Sequence, residues 1–283
     1  MKIAAAQAHF GRDLDRCLLR IATIIKHARE TGARLLVLPH AALGGYLADL
    51  RHLEPESLPP ALPADDPRLS QIAALAGDLV VCVGFTEADG GDLYDAAVCL
   101  SGDGVLGRHR KVHLPPGEAL IYATGDRFEA FDTPVGRMGM LIDYDKTFPE
   151  AARSLALAGA RTLAFLSAWP ASVTRRTSSL VHDRQTRLFD LYDAARAAEN
   201  QVVVVSANQT GTMGGLRFLG RAKVVDPGGN VLACGDSKAG LTIADIDVDA
   251  AVEQARRVQH HLRERRPAAY EPAAYEPIPS PLP

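Results

Sequence analysis

Cysteine is scarce in this chain. Its 283 residues hold four, Cys17, Cys82, Cys99 and Cys234. They are scattered, without CxxC or metal-type spacing, so the sequence gives no sign of a disulfide framework or a thiolate metal site. They read as reduced, mostly buried thiols of a cytoplasmic protein. Charge of one sign is also lacking. A net charge of −3 argues against a nucleic-acid partner and against an anionic membrane surface. No apolar run approaches the length of a membrane span. The opening MKIAAAQAHF has too short an apolar run for a signal peptide and reads as a strand. No internal repeat is visible, and nothing marks a linker before residue 267. The expected organisation is one domain over residues 1–266 and a proline-rich tail over 267–283.

What the chain does have is apolar content, 47% of its residues, enough for a sizeable core. Strand and helix patterns alternate in both halves. Lys2–Ala8 reads as a strand, and Asp13 to Glu30 as a helix with apolar residues at three- and four-residue steps. Arg34–Leu38 reads as a buried strand ended by Pro39. A proline-rich loop follows from about Glu54 to Pro67, then a helix near Arg68–Ala76 and a strand Leu79–Phe85. Asp92–Leu100 and Val105–Val112 form a hairpin across Ser101-Gly102-Asp103-Gly104. Phe128–Thr133 and Thr162–Leu166 are further strands, and Val181–Glu199 is a helix. Val202–Ser206, Phe218–Val225, Val231–Cys234 and Leu241–Ile246 are strands, and Val248–Arg263 is a charged helix. The alternation predicts an α/β fold.

One stretch stands apart: Gly139–Glu150, GMLIDYDKTFPE. An apolar run stops at Asp143, a short polar turn follows, and Pro149-Glu150 opens a helical pattern through Leu157. In such a unit the residue at the strand tip faces the crevice where α/β folds hold ligands. An acid is disfavoured within a strand, so one at the tip asks for another reason.

The stretch resembles the nucleophile segment of the nitrilase superfamily, the carbon–nitrogen hydrolases, whose pattern there is roughly G-x-x-I-C-Y-D-x-x-F-P-E. Other ordered segments match that family too. LLVLPHAALGGY resembles its first site segment, where glutamate normally follows the proline, and GRHRKVHLPPGE its lysine segment. Ala195–Gln201 resembles A-R-A-x-E-N-Q, and Phe218–Arg221 with Val225–Gly229 resembles F-x-G-x-S and V-D-P-x-G. The resemblance implies a four-layer αββα sandwich, paired into a homodimer or a higher homo-oligomer across the helices that follow the nucleophile. It implies a catalytic glutamate, lysine and cysteine with a second glutamate. Carried over position by position, these are His40, Lys111, Asp143 and Glu118, so two of the three principal members differ.

A carboxylate replaces a thiolate poorly. From a tetrahedral adduct on an ordinary amide it leaves more readily than the amine, and the adduct collapses backward. Asp143 is better suited to act as a general base or to orient a substrate cation. His40 could carry protons near neutral pH, Lys111 could stabilise an oxyanion, and Glu118 could hold Lys111. Hydrolysis by activated water and a non-hydrolytic elimination or cyclisation both stay open. Against these stand plainer roles: Asp143 as a counter-ion for Lys111 after loss of the nucleophile, His40 as a satisfied histidine, and Lys111–Glu118 as a structural ion pair. On that side the chain would be a pseudoenzyme that binds a small ligand or a partner protein. His40, Asp143 and Glu118 are chemically able to ligate a metal, but Lys111 among them would repel a cation. No cofactor or metal is called for. Tyr46, Tyr144 and Trp169 are candidate substrate contacts or core anchors. His109, His113, His182, His260 and His261 show no ligand spacing.

Overall fold

A computed structural model of the chain describes residues 1–51 and 58–270. Most of the proline-rich tail, and residues 52–57 of the loop before Pro67, lie outside the described residues. The elements in order are β1 (Lys2–Ala8), α1 (Leu14–Glu30), β2 (Ala33–Val37), β3 (Ala61–Leu62), α2 (Pro67–Ala76), β4 (Val80–Asp89), β5 (Asp92–Ser101), β6 (Gly104–Arg110), β7 (Ala130–Thr133) and β8 (Gly136–Ile142). Then come α3 (Pro149–Leu157), β9 (Thr162–Ser167), α4 (Arg184–Asn200), β10 (Val203–Gln209), β11 (Thr212–Met213), β12 (Leu216–Arg217), β13 (Lys223–Val225), β14 (Val231–Cys234), β15 (Gly240–Asp245) and α5 (Val248–Arg256).

The main strand order is β6-β5-β4-β2-β1-β10-β9-β8-β7. Its two halves are joined by only a short ladder. β1 pairs with β10 only at Gln7–Asn208 and Ala8–Gln209. Elsewhere β15 runs antiparallel along β1, and β13 runs antiparallel along β10. The halves therefore part from a short seam and pack face to face. The side-chain period of two sorts the layers. Ile3, Leu35, Val37 and Val80 from one half meet Met140, Ala164, Leu166 and Val203 from the other in a shared core. On the outer faces Ala4, Leu36 and Val81 pack under α1 and α2, and Leu141, Leu163, Phe165 and Val204 pack with α3 and the end of α4. The result is helix, sheet, sheet, helix, the αββα sandwich.

Most element limits agree with the sequence to within a residue or two. β4 and β10 run on to Asp89 and Gln209, past the expected ends at Phe85 and Ser206, and α4 starts at Arg184 and not at Val181. Two limits differ more. The strand expected over Phe218–Val225 begins only at Lys223, because Gly220 and Arg221 both take positive φ (66° and 59°) and break the extension. The helix expected to run to Arg263 ends at Arg256. There the Gln201 amide donates to the carbonyls of Ala255 and Gln259 (2.8 Å each) and replaces the next helical bonds.

Candidate active site

The seam brings the ends of β2, β8 and β9 to one end of the molecule, where open α/β sheets hold ligands. β8 ends at Ile142, and Asp143 takes φ +42°. This left-handed conformation is one that Asp tolerates better than most residues, and it turns the side chain out of the strand. The turn is held from below by Asp145. Its carboxylate accepts from the backbone N–H groups of Val112, His113 and Ile142 and from the rings of His109 (2.8 Å) and His113 (3.0 Å). Burial works against its charge, but these donors win and hold its pKa below the usual carboxylate range.

Asp143 Oδ1 accepts from the N–H of Ala168, just past β9, at 2.7 Å. Asp143 Oδ2 has no protein hydrogen-bond partner and lies 3.8 Å from Nζ of Lys111. Lys111 follows β6 and is fixed on both sides of its backbone: its N–H donates to Asp95 and its carbonyl accepts from Gly125 (2.8 Å each). Its ammonium donates to Glu118 and lies 3.5 Å from Asp95 Oδ2. The Tyr46 hydroxyl donates to the other oxygen of Glu118.

Asp95, in mid-β5, escaped the sequence reading. Its second oxygen lies 3.2 Å from Nε2 of His40. Both residues are sealed from solvent, with 0% and 1% of their surface exposed. Gly84 makes room for the ring, since a Cβ there would sit 2.8 Å from His40 Nδ1. The signal that could have found Asp95 was the one that marked Asp143, an acid within an otherwise apolar strand.

Three carboxylates thus surround one ammonium and one imidazole. Burial alone would lower the pKa of His40, but Asp95 and Asp143 together offset it and the net shift is upward. Burial would likewise lower Lys111, and Glu118, Asp143 and Asp95 together raise it. Burial favours neutral Glu118 and pushes its pKa to about 8, against the pull of Lys111. Burial also raises Asp143, opposed by Lys111 and His40. Asp95, burial notwithstanding, is lowered by its two cations. The cluster therefore sets two cationic side chains, Lys111 and His40, among three carboxylates, and burial pushes Glu118 toward its neutral form.

A cavity of about 330 Å³ opens above this floor. Lys111, Glu118 and Asp143 line it, as do Tyr46, Tyr144 and Trp169. His40 does not; it sits behind the cavity wall, out of reach of a bound molecule. No cysteine lines the cavity. Cys17, Cys82 and Cys99 are buried elsewhere, and Cys234 is exposed. Among the described residues, no group of three His, Cys, Asp or Glu side chains is placed to hold a metal ion.

Behind Trp169 lies a second buried ionic cluster that the sequence did not reveal. Lys146, on the turn after Asp145, donates to Asp193 of α4 (2.7 Å), and Lys223 of β13 donates to its other oxygen (2.8 Å). The Lys146 ammonium also sits 3.3 Å from the centre of the Phe189 ring. Burial pushes the Lys146 pKa down to about 8. The cluster ties the key turn to α4 and β13.

The αββα sandwich thus gathers a lysine and three carboxylates at one end of its sheets. The carbon–nitrogen hydrolase family model matches residues 2–256, and the chain belongs to that family. It is 31% identical over 238 residues to a nitrilase of Pyrococcus abyssi, covering 83% of this chain and 84% of that one. It is 30% identical over 271 residues to an (R)-stereoselective amidase of a Pseudomonas species, covering 94% and 90%. Among solved structures, a carbon–nitrogen hydrolase from Helicobacter pylori superposes with a TM-score of 0.85 at 25% identity, over 95% of this chain and 96% of that one. No helix among the described residues is long and apolar enough to cross a membrane.

Proposed function

We propose that the chain hydrolyses a small amide-, nitrile- or carbamoyl-type substrate by acid–base chemistry at a His/Lys/Asp site, without a cysteine nucleophile. One observation carries this reading. Asp143 has one oxygen pinned by Ala168 N–H and the other unpartnered, next to Lys111 on the floor of an open cavity. A buried carboxylate oxygen without a donor is costly in a purely structural role, and a strained φ at a strand tip is a common mark of a working site. The names of the relatives, a nitrilase and an amidase, support the substrate class.

On an amide the chemistry balances as follows. Asp143 Oδ2 takes a proton from water while the water oxygen bonds to the carbonyl carbon. The Lys111 ammonium stabilises the oxyanion. The adduct collapses, the C–N bond breaks, and the departing nitrogen takes the proton of Glu118. The proton on Asp143 returns to Glu118 through solvent in the emptied cavity. His40 acts only through Asp95, by keeping the charge around Lys111 closed. Turnover of a panel of small amides and nitriles by the purified chain, compared with Asp143→Asn, tests the reading. Equal turnover in both would end it.

A second reading, a pseudoenzyme that binds a small ligand or partner protein, is favoured by His40, which is sealed from the cavity. It predicts ligand affinity with no turnover on any panel. Under either reading the chain pairs with itself across α3 and α4, where Leu157 and Leu191 are exposed by 48% and 57%. Its mass in solution, at twice the chain mass or a higher multiple, tests that.

A further inference from the structure

Cys82 of β4 and Cys99 of β5 stand directly opposite each other in an antiparallel ladder, and the proposed chemistry uses neither. The hairpin closes on Asp89 and Asp92 across Gly90 and Gly91. The pair that closes a two-residue turn exchanges both backbone bonds, and bonded and unbonded rungs alternate from there. Counting down the ladder, Thr86 with Asp95, Gly84 with Ala97 and Cys82 with Cys99 are unbonded rungs. Neighbouring bonds agree. The carbonyls of Cys82 and Gly84 accept from Leu38 and Leu43 on the β2 side, and the Asp95 carbonyl accepts from Lys111 on the β6 side. Across such a rung the Cα atoms lie about 4.5 Å apart and the side chains crowd together. That separation is within the span a disulfide bridges, near its short end. Both side chains are 0% exposed, in the core between the sheets. Hydrogen bonding to Cys82, with burial behind it, holds the Cys99 thiol well above its usual pKa.

These three rungs share one face of the hairpin. The ring of His40 lies against the middle rung, where a Cβ on Gly84 would come 2.8 Å from its Nδ1, and Asp95 holds Nε2 from the rung above. The two thiols are the next rung below the His40–Asp95 pair. We propose that they are a modification site, at which hydrogen peroxide closes a disulfide whose formation shifts that pair. One thiol loses its proton and its sulfur attacks a peroxide oxygen. The O–O bond breaks, the sulfur becomes a sulfenic acid, and the departing hydroxide takes up the released proton to form water. The second sulfur then attacks the first. Its proton leaves with the hydroxyl as a second water, and the S–S bond forms. The two sulfurs together give up two electrons, which the peroxide oxygens take. Relaxing the rung toward the usual disulfide separation of about 5.5–6 Å widens the hairpin beside His40. The protonated Cys99 makes the reaction slow at neutral pH and faster as the pH rises. An effect on turnover rests on reading the cavity as a hydrolytic site; the bond itself does not.

The test uses the full chain carrying Cys234→Ser, which removes the exposed thiol and leaves the core intact. It is treated with hydrogen peroxide at neutral and at alkaline pH. Intact mass, peptide mapping, the imidazole resonances of His40 and amide turnover are then read. The expected result is a loss of two hydrogen masses and one crosslink between the peptides that carry Cys82 and Cys99. It forms faster at alkaline pH and is reversed by dithiothreitol. The His40 resonances shift with the crosslink, and turnover falls by about tenfold or more. None of this follows in Cys99→Ala, or in Cys82→Ala should the first variant not fold, which circular dichroism verifies. Oxygen added to a single cysteine, or no mass change in the folded chain, overturns the site. A crosslink that leaves the His40 resonances in place overturns the coupling. A crosslink that shifts His40 in a chain with no amide turnover in either state sinks the hydrolysis and leaves this inference standing.

Discussion

Nε2 of His40 lies 3.2 Å from Oδ1 of Asp95, and both side chains are closed off from solvent. The pair sits behind the cavity wall, and the other oxygen of Asp95 faces Lys111. Asp95 therefore serves two cations, and removing its charge leaves both short of an anion. Asp95→Asn is expected to destabilise the protein by about 3–5 kcal/mol and to lower the pKa of His40. Denaturant unfolding checks the first and the imidazole resonances in an NMR titration the second. An unchanged His40 titration contradicts the assignment.

Glu118 sets a pH limit with a definite sign. Its pKa is raised by burial to about 8, above the value near 4.3 in an unfolded chain. Its contribution to stability is fully present below the unfolded pKa, and it is lost as the pH rises through that interval to about 8. Turnover falls over the same alkaline limb, because the proton for the departing nitrogen is gone. On the acid side turnover falls as Asp143 is protonated. In Glu118→Gln the alkaline limb near pH 8 disappears from what activity remains. Lys146 also titrates near pH 8, so a limb that survives in this variant assigns it to Lys146.

Asp193 is the anion between two buried lysines, 2.7 Å from Lys146 and 2.8 Å from Lys223. Asp193→Ala leaves two buried ammonium groups facing each other, with Asp190 beside Lys223 only. The expected loss is about 3–5 kcal/mol, read from thermal or denaturant unfolding. Adding Lys146→Met to Asp193→Ala recovers part of it, since an apolar chain of similar length fills the space against Phe189. A double variant no more stable than the single one contradicts this account of the cluster.

Much of the fold was legible because the strands carry long apolar runs and clear breaks. Gly139–Glu150 shows both: an apolar strand, an acid at its tip, and a proline that opens α3. Lys111 and Glu118 stood out only through the resemblance of the segment around them to the family pattern. Residues whose meaning depends on distant partners were not. Asp145 looks like any turn acid until His109 of β6 and His113 of the segment after it close on it. Lys146 looks like a solvated turn lysine, yet Asp193 meets it from 47 residues away. His40 passes for a group facing the cavity until Gly84 is seen to let β4 approach its ring. Local pattern records the chain's own periodicity and breaks, whereas charge pairing across the seam depends on the sheet order.

The account turns on hydrolysis driven by Asp143 with no acyl–sulfur intermediate. The most direct test is amide turnover by the wild-type chain and by Asp143→Asn, an exchange that keeps the left-handed backbone conformation, after alkylation of every accessible thiol and with the intact mass followed during the reaction. The account predicts wild-type turnover unaffected by alkylation, a fall of roughly 10²–10⁴-fold in the variant, and no substrate-derived mass on the protein. Turnover abolished by alkylation, with an acyl group held on a cysteine, would contradict it.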